Sequence, residues 1–299
     1  MEALASSRPD WRAFERQLKE TGAYETPPGN RARLPRFLEK RLFRLRMARV
    51  YWHAWRASND PEAYVSRLWA PNGYEVVQAV ERTGGRIAVE GFGNLRGANL
   101  PAVFVSNHVS SLETYLVAPL LLPFTTYTYV LKKSLVKYPV LGRVIRALDP
   151  VPVGRKSPME DLRDVLQHGT ETLRRGRSVV VFPQGTRQRL FDPAAFNSIG
   201  AKLARRAGVP VVPLCLATDF LRIGQWQRDL FATVHPESTV RAACGEPIGP
   251  DVPQAEVQRR CIGFISSTLA RWEALDGRAM LAPPPAPAAA LPPPAKGEA

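Results

Sequence analysis

Cysteine, histidine and acidic residues are all scarce in this chain of 299 residues. The three cysteines, Cys215, Cys244 and Cys261, are odd in number, far apart and without a C-x-x-C pair. That pattern excludes a disulfide framework and a zinc cage and fits a reducing compartment. Acids number 27 against 41 lysines and arginines, a formal net charge of +14. Such an excess predicts an anionic partner, whether nucleic acid, a lipid surface or a phosphorylated metabolite. A long apolar span is also missing. Thr114 to Leu131 runs for eighteen residues without a charge, at the lower edge of what a bilayer requires. Pro119 and Pro123 interrupt it, and Thr114, Thr125, Thr126 and Thr128 dilute it, so it reads as a buried helix, a turn and a strand. The opening MEALASSRPDWRAFERQLKE has no apolar core behind a basic tip, so no secretory signal is read and the cytoplasmic side is expected. What remains is ordinary globular usage, 45% hydrophobic and 23% charged, which excludes collagen, coiled coil and wholesale disorder.

Basic and aromatic residues crowd the first 80 positions. Between Arg31 and Arg56 nine cations (Arg31, Arg33, Arg36, Lys40, Arg41, Arg44, Arg46, Arg49, Arg56) face one acid, Glu39, with Phe37, Phe43, Tyr51, Trp52 and Trp55 among them. The mixture suits a helix at a headgroup interface, or a solvated basic helix packed on the domain, because Arg41 and Arg49 share a side with Leu34, Leu38 and Leu45 and break the apolar face. From about Arg86, short apolar strands alternate with helical segments, the pattern of an α/β sheet. Strands are expected at Arg86–Glu90, Ala102–Ser106, Ser178–Phe182 and Val209–Ala217. A helix is expected after the capping box Ser157-Pro158-Met159-Glu160, ending at Gly176, and another over Asn197–Ala207. The division is a basic helical region over 1–80, a main domain over 81–278, and a Pro/Ala-rich disordered tail over 279–299 with seven prolines in its last nineteen residues.

Two segments carry chemistry. In Ser106-Asn107-His108-Val109-Ser110-Ser111-Leu112-Glu113, one of only four histidines follows a buried strand, where α/β folds place reactive groups. Five residues on a helix turn about 140°, so His108 and Glu113 meet only if His108 lies in the loop before the helix. Ser110 as N-cap would arrange this, with Glu113 at N3 reaching back to one imidazole nitrogen and leaving the other as a general base. Ser110-x-x-Glu113 is equally a capping box, and both readings stand at this point. The second segment, Val179 to Arg187, is a buried strand followed by Pro183-Gln184-Gly185 and then Thr186 and Arg187, a suitable phosphate clamp. His53, His168 and His235 have no carboxylate or cysteine at ligand-like spacing and read as surface or packing histidines.

These segments, with Leu131-Lys132-Lys133-Ser134-Leu135 followed by Pro139, Gly142 and Val153-x-Arg155, and with Val209-Pro210-Val211-Val212-Pro213, form four ordered blocks. Together they resemble the glycerolipid acyltransferases typified by 1-acylglycerol-3-phosphate acyltransferase, over roughly residues 85 to 250. The resemblance implies a mixed, mostly parallel central sheet flanked by helices, and transfer of a fatty acyl group from acyl-CoA or acyl-carrier protein to a lysophospholipid hydroxyl. It implies His108 as general base and Glu113 as its partner, with Arg187, Thr186, Gly185 and Lys132 on the acceptor's phosphate. Asn107, Pro183, Gln184 and Gly142 would support them. A histidine and a carboxylate as the reacting groups, with no serine or cysteine in the role of nucleophile, favour direct attack over an acyl-enzyme, and the resemblance implies no metal and no bound cofactor. Two positions depart from the family pattern. Glutamate stands at 113 for aspartate, which keeps the charge but is one methylene longer, so the loop must re-set the geometry of the pair; glutamine stands at 184 for glutamate, read as a tuning of the pocket toward an anionic acceptor. The expected partners are a lysophospholipid, an acyl thioester and an anionic membrane surface approached peripherally from the cytoplasmic side. No nucleic-acid module is recognisable. A lyso-aminolipid or glycerol 3-phosphate as acceptor is not separated by the motifs, since the acceptor is chosen by pocket shape outside them.

Overall fold

The computed structural model describes residues 9–30, 34–139, 141–154, 157–222 and 232–283. Arg31, Arg33, Arg155 and the tail from 284 lie outside the described residues. The described residues begin with helix α1 (Pro9–Thr21), the short strand β1 (Tyr24–Glu25) and α2 (Arg36–Ala57). Asp60 then accepts the Ala63 N–H and starts a turn that passes through one π-helical stretch into α3 (Trp69–Arg82). Strands β2 (Ile87–Glu90) and β3 (Val103–Ser106), helix α4 (Glu113–Leu121) and strand β4 (Tyr127–Lys132) follow. Next come α5 (Leu141–Ala147), β5 (Val151–Val153), α6 (Pro158–Arg174), β6 (Ser178–Val181) and α7 (Ile199–Ala207). The last elements of the described residues are β7 (Val211–Ala217), a small β8–β9 pair (Leu221–Arg222 and Thr233–Val234), β10 (Val240–Cys244) and α8 (Gln254–Asp276).

Eight strands form one sheet in the order β1-β2-β10-β7-β3-β6-β4-β5. Five of its seven ladders are parallel; β1 with β2 and β10 with β7 are antiparallel. The mixed, mostly parallel sheet expected from the resemblance is therefore present. Parallel strands buried on both faces need continuous apolar runs, and β3, β6 and β7 are buried at every position. Alternate residues feed two cores. Phe104, Val180, Val212 and Leu214 join one core with α1, α2, α3 and α4, while Val103, Val105, Val179 and Val181 join the other with α6, α7 and α8. Ser157 caps α6 as its spacing predicts, and Gly208 ends α7 in the left-handed conformation.

Helix α2 resolves the ambiguity of its wheel by having two apolar stripes. Phe43, Met47, Val50 and Ala54 are buried against the first core, whereas Phe37, Leu45 and Trp52 stay 63%, 66% and 55% exposed beside the exposed Arg41, Arg44 and Arg49. Its single acid, Glu39, is buried and bound to Arg46 at 2.9 Å. The packing is continuous across residue 81, because α1, α2 and α3 share their core with the sheet and β1 extends it. The chain from 114 to 131 is a helix, a turn and a strand as expected, and no helix of the described residues is long and apolar enough to cross a membrane. Residues 279–283 of the tail expected to be disordered are instead packed on the domain. Met280 is buried, Phe191 exchanges backbone hydrogen bonds with Met280 and Ala282, and Glu273 accepts the Met280 and Leu281 N–H groups. Two apolar side chains and a carboxylate acceptor outweigh the proline signal that begins at Pro283.

Candidate active site

Parallel strands aim their C-terminal ends at one edge of the sheet, and β3 leaves that edge at Asn107. The Asn107 side chain takes the place of the next rung of the β3–β7 ladder: its Oδ1 accepts the Leu216 N–H at 2.8 Å and its Nδ2 donates to the Leu216 carbonyl at 2.7 Å. Buried and doubly bonded, it fixes where the following residue emerges. That residue is His108.

The chain then turns into α4 later than the capping signal suggests. Regular helix starts at Glu113, not directly after Ser110, although Ser110 Oγ does accept the Leu112 N–H at 3.2 Å. The reason is that Glu113 folds back on the turn. Its Oε1 accepts the Val109 N–H at 2.6 Å and the Ser110 N–H at 2.9 Å, and its Oε2 meets His108 Nδ1 at 2.5 Å. Capping and holding the histidine are thus performed by the two oxygens of one carboxylate. A fourth donor, Thr218 Oγ1, reaches Oε1 at 2.7 Å from the end of β7. Taking this carboxylate out of water is offset by four hydrogen bonds; its side chain is 0% exposed.

The imidazole is 18% exposed and stacks on Phe182, with centroids 4.3 Å apart and planes at 21°. Phe182 stacks in turn on Tyr129, whose hydroxyl donates to the Thr114 carbonyl. Burial pushes the phenols of Tyr127 and Tyr129 up, so both serve this wall as neutral groups. With Nδ1 donating to Glu113, the neutral ring presents Nε2 as a lone-pair acceptor, and Nε2 has no hydrogen-bond partner among the described residues.

The second segment grips the first. Gly185, at φ +69°, donates to the Phe182 carbonyl and tightens the turn after β6. Gln184 Oε1 accepts the His108 N–H at 2.9 Å, its Nε2 donates to Gln188 Oε1 at 2.9 Å, and the Gln188 N–H donates to the His108 carbonyl at 2.8 Å. Both amide ends of Gln184 are therefore spent on holding the histidine's backbone, a role the sequence reading of a charge-tuned pocket did not anticipate. Pro183 is buried and its carbonyl is bound by Asn197 Nδ2. Gly185 and Thr186 are exposed and Arg187 is half-buried on the same turn. Lys132 is exposed at the end of β4, which pairs with β6 through Tyr129 and Val180 and so brings that lysine to the same edge. Gly142 is a packing glycine. A Cβ there would stand 2.4 Å from the Val136 carbonyl oxygen, so its absence lets α5 seat against the turn that follows Lys132.

Thr218 is the site residue that sequence reasoning missed, since a threonine 105 positions from Glu113 carries no local signal. His53 and His235 also differ from expectation. His53 Nδ1 lies 3.1 Å from both oxygens of Glu75 across α2 and α3, and His235 pairs with Glu237 at 2.8 Å. The first partnership depends on helix packing and is invisible as spacing.

Comparison with known proteins agrees with this geometry. Residues 86–217 match the family model described as Acyltransferase. A 1-acyl-sn-glycerol-3-phosphate acyltransferase of Pseudomonas aeruginosa is 29% identical over 198 residues, 64% of this chain and 72% of that protein. A chloroplastic 1-acyl-sn-glycerol-3-phosphate acyltransferase of Arabidopsis thaliana is 33% identical over 131 residues, 44% of this chain; the match spans 36% of that protein's length. The crystal structure of the 1-acyl-sn-glycerophosphate acyltransferase PlsC from Thermotoga maritima shares the fold, with a TM-score of 0.61 and 20% identity over 80% of this chain and 98% of that one. With the matched region holding β2 through β7 and the histidine–carboxylate pair, the chain carries an acyltransferase domain over residues 86–217.

Proposed function

We propose that the protein moves a fatty acyl group from an acyl thioester, acyl-CoA or acyl-carrier protein, to the free hydroxyl of a lysophospholipid, with 1-acyl-sn-glycerol-3-phosphate as acceptor and phosphatidic acid as product. The observation that carries the reading is the 2.5 Å contact between His108 Nδ1 and Glu113 Oε2, with Nε2 free of partners among the described residues. Nε2 takes the proton of the acceptor hydroxyl as its oxygen attacks the thioester carbonyl. The carbon–sulfur bond then breaks, and the imidazolium returns the proton to the departing thiolate. General-base catalysis of this kind contributes about 10²–10⁴-fold, and the buried carboxylate stabilises the imidazolium formed on the way. Arg187, Thr186, Gly185 and Lys132, cations and donors along one sheet edge, supply the phosphate contacts. The transfer is direct and needs no bound cofactor.

The same reading includes a membrane surface, because the acceptor is a lipid. The exposed stripe of α2, Phe37, Leu45 and Trp52 among Arg41, Arg44 and Arg49, has the composition of an interfacial helix. Three free, buried cysteines fit work at a cytoplasmic face. The test is an acyl-transfer assay with lysophosphatidic acid, a lyso-aminolipid and glycerol 3-phosphate against both thioester donors, read by mass spectrometry. Product from lysophosphatidic acid that disappears in folded His108→Ala is expected. Turnover retained by that variant overturns the mechanism, and product from another acceptor alone overturns the substrate.

A further inference from the structure

We infer that Thr218 is a positioning residue for the catalytic pair, and that it is matched to glutamate rather than aspartate at position 113. The inference rests on the acyl-transfer reading above and extends it to a residue on another strand. Thr218 is fully buried directly after β7. Ser110 Oγ, which accepts the Leu112 N–H at 3.2 Å, directs its one proton at Thr218, with Oγ1 at 2.9 Å and the carbonyl at 3.1 Å, and the Thr218 hydroxyl donates to Glu113 Oε1 at 2.7 Å. Each hydroxyl in such a chain is polarised by the one before it, which strengthens the last bond. That last bond lands on the oxygen that does not face the histidine. Together with the Val109 and Ser110 N–H groups on the same oxygen, it sets the rotation of the carboxylate, and with it the direction in which Oε2 meets Nδ1.

The placement is built in from the sheet. Pairing of β3 with β7 runs from Val103 and Val211 to Ser106 and Leu214, and Asn107 extends it to Leu216. Thr218 lies two residues beyond Leu216, just past the end of β7, so its distance from the His108 loop is fixed by the same rungs that fix His108. Glutamate at the first position of α4 reaches across to this hydroxyl because of its extra methylene. An aspartate there would hold its carboxylate one methylene short of Thr218, and the bond from β7 would have no acceptor.

The test is a cycle of Thr218→Val, Glu113→Asp and the double variant, with Thr218→Ser as the conservative rescue and His108→Ala as control, in the acyl-transfer assay. Thr218→Val is expected to lower kcat roughly tenfold, the scale of one hydrogen bond to a charged acceptor, with KM for both substrates unchanged. Thr218→Ser is expected within about threefold of the parent, since it keeps the hydroxyl. In the Glu113→Asp background the valine substitution is expected to cost nothing further. Thr218→Ala replaces the valine variant if circular dichroism shows the latter unfolded. Unchanged kcat in Thr218→Val, or an equal loss in both backgrounds, overturns the assignment. Activity surviving in His108→Ala would instead overturn the acyl-transfer mechanism, so the two failures are distinct.

Discussion

Glutamine at position 113 tests whether the carboxylate sets the state of the histidine or only its place. Glu113 Oε1 receives three donors, the Val109 and Ser110 N–H groups and the Thr218 hydroxyl, whereas Oε2 receives only His108 Nδ1. A glutamine has one acceptor oxygen and one NH₂ group. With the NH₂ group at the Oε1 site, two buried backbone donors that cannot turn away would lose their acceptor, at about 1–3 kcal/mol each. The amide oxygen therefore takes that site and the NH₂ group faces Nδ1. Nδ1 must now accept, so the ring proton moves to Nε2, the atom required as base. The capping bonds survive, and folding should change by no more than about 1 kcal/mol. Catalysis should not survive: kcat in Glu113→Gln is expected to fall by about 10²–10⁴-fold, the worth of a general base, with KM little altered. Steady-state acyl transfer alongside urea denaturation reads both quantities. A variant as stable as the parent and within tenfold of its kcat would refute the tautomer reasoning.

Three further expectations concern the scaffold and the clamp. Asn107→Ala leaves the buried Leu216 N–H and carbonyl unpaired and should cost about 2–5 kcal/mol in urea denaturation; a loss under 0.5 kcal/mol would contradict the ladder role. Arg187→Ala should raise KM for the phosphorylated acceptor about tenfold with a smaller change in kcat, and an effect on kcat alone would place Arg187 outside the clamp. Burial pushes the Asp276 carboxyl up, but hydrogen bonds and charge from Arg241 and Arg278 outweigh it and hold the group below the usual carboxylate range. Because the folded-state value is depressed, the stabilisation is present above the unfolded-state value and is lost as pH falls through the folded one. Asp276→Asn should therefore be less stable at pH 7, by about 0.5–1 kcal/mol because solvent screens the ion pairs, with the gap to the parent closing only in acid; a gap independent of pH would refute the assignment.

The parts of this molecule legible from sequence are those whose causes are local. Apolar runs bounded by turn residues locate β2, β3, β6 and β7 within two residues, and Ser157, Pro158 and Gly176 bracket α6. The meeting of His108 with Glu113 follows from loop geometry over six residues. The features that were not legible depend on which distant segments become neighbours. β10 inserts antiparallel to β7 and parallel to β2, an order set by crossover connections and not by any pattern in its five residues. Gln184 looks like a lost charge in a linear motif, and its bonds to His108 and Gln188 become visible only when β3 and β6 lie side by side. Glu113 reads as a first-turn residue at N3, but the pull of three donors on its carboxylate delays the helix to its own position.

The short run of backbone bonds between Phe191 and residues 280 and 282 bears on how the protein can be handled. Phe191 follows Arg187 by four residues, so the stretch leaving the turn proposed to hold the phosphate is tethered at its far end by chain that lies beyond α8. A truncated version ending at Gly277, where α8 stops, would keep every helix and strand of the sheet yet free that loop. A purification tag or fusion partner is better joined after residue 283, where the tether is complete, than at the helix end that a secondary-structure boundary would suggest.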